Sequence, residues 1–159
     1  AIKVIDSPYA EKEWVAIPAL KLDVSLIHVY RADVPGVCQI AGPDHYMDDW
    51  FARAAAQTFV SCDELVASEY FHDPAQARLV HWERSMTTGV IPIPGGAHPT
   101  SCSQLYGFDV PHFKAYAASA KEESGIRGYF DKFLGASEEE YQKNVGGLDA
   151  IRAIELPTY

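Results

Sequence analysis

The stretch Pro94-Gly95-Gly96-Ala97-His98-Pro99-Thr100-Ser101-Cys102-Ser103 gathers more groups fit for chemistry than any other part of this sequence. Its glycines and prolines forbid a regular element. It follows the short apolar run Val90-Ile91-Pro92-Ile93, and open α/β sheets place their ligand crevices just beyond strand ends. Adjacent glycines allow a ligand to approach the backbone, and His98, Thr100, Ser101, Ser103 and Gln104 offer donors and acceptors. The competing reading is a structural turn, with His98 capping a helix or bonded to a carbonyl.

Other candidate groups read as structure. His28 lies within Val24-Ser25-Leu26-Ile27-His28-Val29-Tyr30, where a buried histidine with a hydrogen-bond partner is expected. Asp44-His45-x-x-Asp48-Asp49 has a metal-like look. Acids in the first turn of a helix are favoured by its dipole, however, and no further ligands follow at fixed spacing; no metal is expected. Cys38, Cys62 and Cys102 cannot all pair within one chain and lack close C-x-x-C spacing. They read as reduced thiols in the core or loops. No GxSxG elbow, P-loop, HExxH or dinucleotide fingerprint occurs.

The elements that must position the loop follow from pattern. Ile2–Ile5 and Trp14–Ile17 read as short strands. Val24–Tyr30 is nearly continuous in apolar residues and reads as a strand buried on both faces. Asp33-Val34-Pro35-Gly36 supplies a turn, and Val37–Ile40 alternates like a half-buried strand. Asp44 is a plausible N-cap for a helix whose apolar stripe is Tyr46, Met47, Trp50, Phe51 and Ala54. Thr58–Cys62 then returns as a strand, the second half of a βαβ crossover. Residues 67–87 give no clear signal. Pro92 puts Val90–Ile93 at an edge or an end. The last third reads as helices: one after Asp109 with a Val110, Phe113, Tyr116, Ala117 stripe, one through Ile126–Leu134 stopped by Gly135, and one opened by Ser137 with Glu140.

The chain has 159 residues, a formal net charge of −9, 48% apolar and 22% charged residues. That is the composition of a single globular domain over residues 1–159. Its acidity argues against nucleic-acid or membrane partners. No apolar run approaches the ~20 residues of a spanning helix, and no signal-peptide pattern appears. The expected location is the cytoplasm. The chain opens on Ala1 with a strand at once, a hint of one piece of a larger polypeptide.

Four motifs, taken in order, resemble the C-terminal half of the A (alpha) subunit of glutaconate-type (family I) CoA-transferases. They are Val15-Ala16-Ile17-Pro18-Ala19-Leu20 with Asp23-Val24, then Ile27-His28-Val29-Tyr30-Arg31-Ala32-Asp33 with Gly36. Thr58-Phe59-Val60-Ser61-Cys62-Asp63-Glu64-Leu65-Val66 and Ile93-Pro94-Gly95-Gly96-Ala97-His98-Pro99-Thr100 complete the set. Val37 stands where the family usually has Asn, and the half with the family's glycine-rich loop is absent. The resemblance implies an α/β fold: a partial open mixed sheet with flanking helices and a helical C-terminal tail. Such a CoA-transferase-like (NagB/RpiA-type) fold would be completed by other chains, namely the N-terminal half of the A subunit together with the family's B subunit.

It further implies a CoA-transferase subunit, with coenzyme A as substrate and no bound cofactor. A glutamate on the B subunit would attack the acyl-CoA, giving an anhydride and then a glutamyl-CoA thioester. This chain would line the acyl pocket with Gly95, Gly96, His98, Ser101 and Gln104 and carry no catalytic residue. Glu123-Ser124-Gly125-Ile126-Arg127-Gly128 has the spacing of the family's catalytic E-N-G-x-x-G motif. Its setting between two helices, with Arg127 in a normally apolar place, makes Glu123 a decoy. Two alternatives stay open. One is a relative of the same fold that hydrolyses a carbon–carbon bond in a cyclic acyl-CoA, against which Pro99 speaks. The other is a non-catalytic scaffold subunit.

Overall fold

The structure, a computed structural model, describes residues 2–40, 42, 46–134 and 137–156. Asp44, His45 and Gly135, assigned above to an N-cap, a metal-like cluster and a helix stop, lie outside the described residues.

A five-stranded mixed sheet organises the chain, in the order β6-β4-β3-β5-β7. Its centre is the parallel pair β3 (Leu22–Asp33) and β5 (Ala55–Val66), joined through helix α1 (Asp48–Ala54) as the expected crossover. β7 (Gly89–Pro92) runs parallel to β5 at one edge and ends on Pro92, in keeping with the edge or end position expected of that proline. On the other side β4 (Cys38–Gln39) turns back antiparallel to β3, and β6 (Val80–Trp82) pairs antiparallel with β4. Gly36 allows that reversal: it sits at φ +100° and gives its N–H to the Asp33 carboxylate at 2.9 Å. β1 (Lys3–Asp6) and β2 (Glu13–Ala16) form a separate antiparallel hairpin. Residues 67–87, unassigned from pattern, hold the short helix α2 (Pro74–Ala77), β6 and two 3₁₀ turns.

Strand alternation divides the core between two faces. Ile27, Val29, Val60 and Cys62 point to one side, packing with Ala32, Cys38, Ala52 and Trp82. Tyr30 points to the other, joining Cys102, Tyr106 and Ile151 beneath the helical tail. That tail comprises α3 (Val110–Ser119), α4 (Glu123–Phe133), α5 (Glu138–Asn144) and α6 (Leu148–Arg152). Asp109 caps α3 by accepting from the His112 N–H, and Ser137 caps α5 by accepting from the Glu140 N–H, as the sequence predicts. Among the described residues no helix is long and apolar enough to cross a membrane.

Three apolar patterns are left partly uncovered. β3 is buried on one face only over its first half, since Val24 and Leu26 are exposed while Ser25 and Ile27 are buried. The stripe Tyr46, Met47, Trp50, Phe51, which begins just before α1, is exposed, and the helix seats itself through Ala52. The stripe of α3 likewise leaves Val110, Phe113 and Tyr116 exposed, with His112 turned inward. Nothing within the described chain covers these surfaces.

Candidate functional site

The site grows from the register of the two central strands. His28 of β3 pairs with Ser61 of β5. Asp63 lies two residues further along β5, so both side chains emerge on the face that carries His28. The imidazole bridges them: Nδ1 lies 2.9 Å from Ser61 Oγ and Nε2 lies 2.8 Å from Asp63 Oδ2. A carboxylate only accepts, so Nε2 carries a proton and gives it to Asp63, while Nδ1 pairs with the Ser61 hydroxyl. Asp63 is fully buried and takes two further donors, the Gly95 N–H at 2.7 Å and the Tyr106 hydroxyl at 2.8 Å. Burial by itself would raise its carboxyl; the donors from His28, Gly95 and Tyr106 hold it below the ordinary carboxylate range.

This one carboxylate ties β3, β5 and the Gly95–Ser103 loop together. Gly95 adopts φ +80°, with the side chains of Ile151 and Leu148 packed where a Cβ would stand. Gly96 lies flat on His28: a Cβ there would meet Ile93 O at 2.8 Å and His28 Cε1 at 2.9 Å. The two glycines serve contact between protein parts. Their N–H groups are taken by Asp63 and by Ile93 O, so neither amide is free to face a ligand. Gly96→Ala is therefore expected to push the loop off His28 and cost about 1–3 kcal/mol. Denaturant unfolding checks this; an unchanged midpoint would contradict the packing.

The sequence candidates do not converge on one spot. Gly96 and Ser101 border a cleft of about 340 Å³ that also touches His28, Tyr30, Cys102 and Phe108. His98 borders a second cleft, with Gly96 again and with Tyr129 and Tyr141. Gln104 borders a third, beside Tyr30 and Arg31. His98 is almost wholly buried. Its Nδ1 meets the Tyr141 hydroxyl at 2.6 Å and its Nε2 meets Asp109 Oδ2 at 3.1 Å, so it pins the loop to α3 and α5. Among the described residues, His98, Asp109 and His112 also bring three ligand-type atoms within 4.8 Å of one another. Hydrogen bonds already engage them, including His112 Nε2 to the Tyr129 hydroxyl at 2.7 Å. Glu123 stands on the exposed start of α4, paired with Arg127 one turn on at 2.5 Å, and borders none of these clefts.

All three cysteines are free and buried. Burial pushes the Cys38 thiol up to about 12 and Cys62 to about 11, and raises Cys102 as well. None is a nucleophile at neutral pH.

The chain aligns with the IpdA subunit of a cholesterol ring-cleaving hydrolase from Mycobacterium tuberculosis H37Rv, 33% identical over 158 residues, or 95% of this chain and 53% of the relative. It aligns with the A subunit of glutaconate CoA-transferase from Acidaminococcus fermentans at 30% identity, over 97% of this chain and 47% of that protein. The crystal structure of glutaconate CoA-transferase from A. fermentans superposes with a TM-score of 0.89 at 26% identity, covering 98% of this chain and 49% of that one. Along nearly its whole length the chain is similar to alpha subunits of CoA-transferase family I. It is related to both glutaconate CoA-transferase and IpdA subunits, and its open mixed sheet with flanking helices matches the CoA-transferase family I fold. The chain spans about half the length of the curated relatives it matches. No protein-family model matches it.

Sequence reasoning treated His28 as a buried, bonded histidine; it is bonded but only half-buried, on the border of the first cleft, and its partners were missed. Ser61 and Asp63 carry a readable signal: polar residues two apart in a parallel-sheet strand, opposite a histidine on its neighbour.

Proposed function

We propose that the chain is part of an enzyme that opens a ring in a CoA-thioester substrate by hydrolysing a carbon–carbon bond, rather than part of a CoA-transferase. The observation that carries this reading is the match to the ring-cleaving hydrolase, 33% identical against 30% for the glutaconate enzyme over comparable spans. It reverses the order in which the sequence motifs ranked the two.

The chemistry such a reaction needs is specific. Water adds to a ring ketone, the adjacent carbon–carbon bond breaks, and its electron pair passes to the carbon beside the thioester carbonyl. That carbonyl holds the charge as an enolate until a proton returns to carbon. The product is one water heavier and keeps its CoA. Donors facing the developing oxyanion and a site closed to free acids favour this course. This chain contributes a cleft walled by the loop after β7 and by His28, Val29 and Tyr30 of β3, with Ser101 on its border and His28 packed against Gly96. Coenzyme A is substrate here, not a resident cofactor. The partners proposed to complete the site are the N-terminal half of the family's A subunit together with its B subunit.

The second reading is transfer of CoA to a free acid through a glutamyl-CoA intermediate on the B subunit. The superposition on glutaconate CoA-transferase and Pro99 after His98 favour it. A free carboxylic acid separates the readings. Incubated with acyl-CoA and such an acid, the assembled enzyme is expected to leave the acid unthioesterified. A new acyl-CoA of that acid would establish transfer, and no reaction of any cyclic acyl-CoA would leave the scaffold reading.

A further inference from the structure

The third cleft, of about 310 Å³, is bordered by Tyr30, Arg31, Gln39, Tyr70, Gln76 and Gln104. A line of hydrogen bonds with a fixed direction runs along it. The Arg31 guanidinium can only donate. Its Nε gives to Glu64 at 2.6 Å and its Nη1 gives to the Tyr70 hydroxyl oxygen. Tyr70, having received that hydrogen, gives its own to Gln76 Oε1 at 2.6 Å. Gln76 therefore presents oxygen, and Gln39 meets it with Nε2 at 3.2 Å. The orientation of an amide usually has to be chosen from its surroundings; here the guanidinium at the head of the line fixes both. Turning Gln39 over would set two carbonyl oxygens against each other.

At the end of the line stands Gln39 Oε1. It is buried and has no partner among the described residues, in a side chain that is 2% exposed. Buried acceptors without a donor are rare in native interiors. The character of the missing donor follows from its surroundings. Arg31 is already neutralised by Glu64, and its faces lie against the rings of Tyr30 and Tyr70 at 4.1 and 5.0 Å. Ile40 and Leu79 supply apolar wall. The cleft thus suits an uncharged group with an N–H and apolar flanks, and has no free cation for a phosphate or carboxylate among these groups.

We propose that this cleft is a binding subsite for a neutral, N–H-bearing part of the CoA substrate, with Gln39 Oε1 accepting from that N–H. The proposal rests on the CoA-thioester reading above. Two parts of coenzyme A share the required chemistry, the amides of the pantetheine arm and the amino group of adenine.

Calorimetric titration of the enzyme assembled with its partner chains tests it, with acetyl-CoA, pantetheine and adenosine as separate probes. Gln39→Met removes the acceptor at similar volume. It is expected to weaken acetyl-CoA by about tenfold, the effect of one lost hydrogen bond of ordinary strength. The unliganded melting temperature should change little, because loss of the orphaned oxygen offsets loss of the Nε2 bond to Gln76. A parallel loss for pantetheine assigns the amide arm; one for adenosine assigns the amino group. Leu79→Trp, placed at the exposed wall, should weaken the same probe by filling the cleft without touching the hydrogen-bond line. Unchanged acetyl-CoA affinity in both variants, with wild type binding normally, would overturn the subsite and leave the CoA reading standing. Unchanged affinity with a lowered melting temperature would also overturn it, by giving Gln39 a structural role alone, through its bond to Gln76. Failure of the wild-type assembly to bind acetyl-CoA would overturn the CoA reading itself.

Discussion

Asp63→Asn is expected to destabilise the protein by about 3–5 kcal/mol, the usual effect of removing one partner from a buried, hydrogen-bonded charge. The carboxylate takes donors from His28, the Gly95 N–H and Tyr106, and an asparagine oxygen cannot serve all three. The loss should carry a pH signature. Because the donors hold the folded carboxyl below its ordinary value, the stabilisation is present in full above the unfolded value. It disappears as the pH falls through the lower, folded one. The gap between wild type and Asp63→Asn should therefore stay constant near neutrality and close below about pH 4, the range of an unfolded aspartate. Urea unfolding of the purified assembly across pH measures this. A gap under 1 kcal/mol at pH 7, or one that shrinks as the pH rises, would contradict the account of the loop's anchor.

The second large effect concerns the surfaces left open. Leu26 and Trp50 are 80% and 66% exposed, and Met47, Phe51, Phe113 and Tyr116 are exposed with them. Apolar exposure on this scale marks an interaction surface. Covering one such side chain is worth about 1.5–3 kcal/mol. Several covered together should raise the melting temperature of the assembly by more than about 10 °C over the isolated chain. Residues 1–159 purified alone should self-associate at micromolar concentration. A monomeric, cooperative transition at the temperature of the complex would sink this expectation.

The pattern of exposure also explains what the sequence concealed. The 3.6-residue stripes on α1 and α3 mark residues that share a face, and the structure keeps them on one face. Periodicity does not say which face this chain covers. Trp50 and Phe51 point outward because Ala52 is small enough to bring α1 down on Val60 and its neighbours. The apolar run of β3 likewise identifies a strand but not that Leu26 lacks a cover. Local chemistry was more legible. The Asp33–Gly36 turn, the caps at Asp109 and Ser137, the β3–α1–β5 crossover and the edge position of β7 all follow from short-range rules. α6 escaped notice because five residues after Gly146-Gly147 give no period to read. The candidate site was legible as a loop but not as contacts. Glycine pairs mark close approach, yet whether the neighbour is a ligand or His28 depends on how strands far apart in sequence align. The line from Arg31 to Gln39 spans residues from β3, β4, α2 and the turn before it, and no spacing reveals it.

The central claim is hydrolysis of a ring carbon–carbon bond with the thioester left intact. Incubate the assembled enzyme with a cyclic acyl-CoA bearing a ring ketone β to the thioester carbonyl, in ¹⁸O-labelled water and without any acceptor acid. The account predicts a ring-opened product that has gained one labelled water, carries the label in its new carboxylate and still holds CoA by mass spectrometry. Free CoA with the ring closed, or turnover only when a carboxylic acid is added and then CoA on that acid, would contradict it.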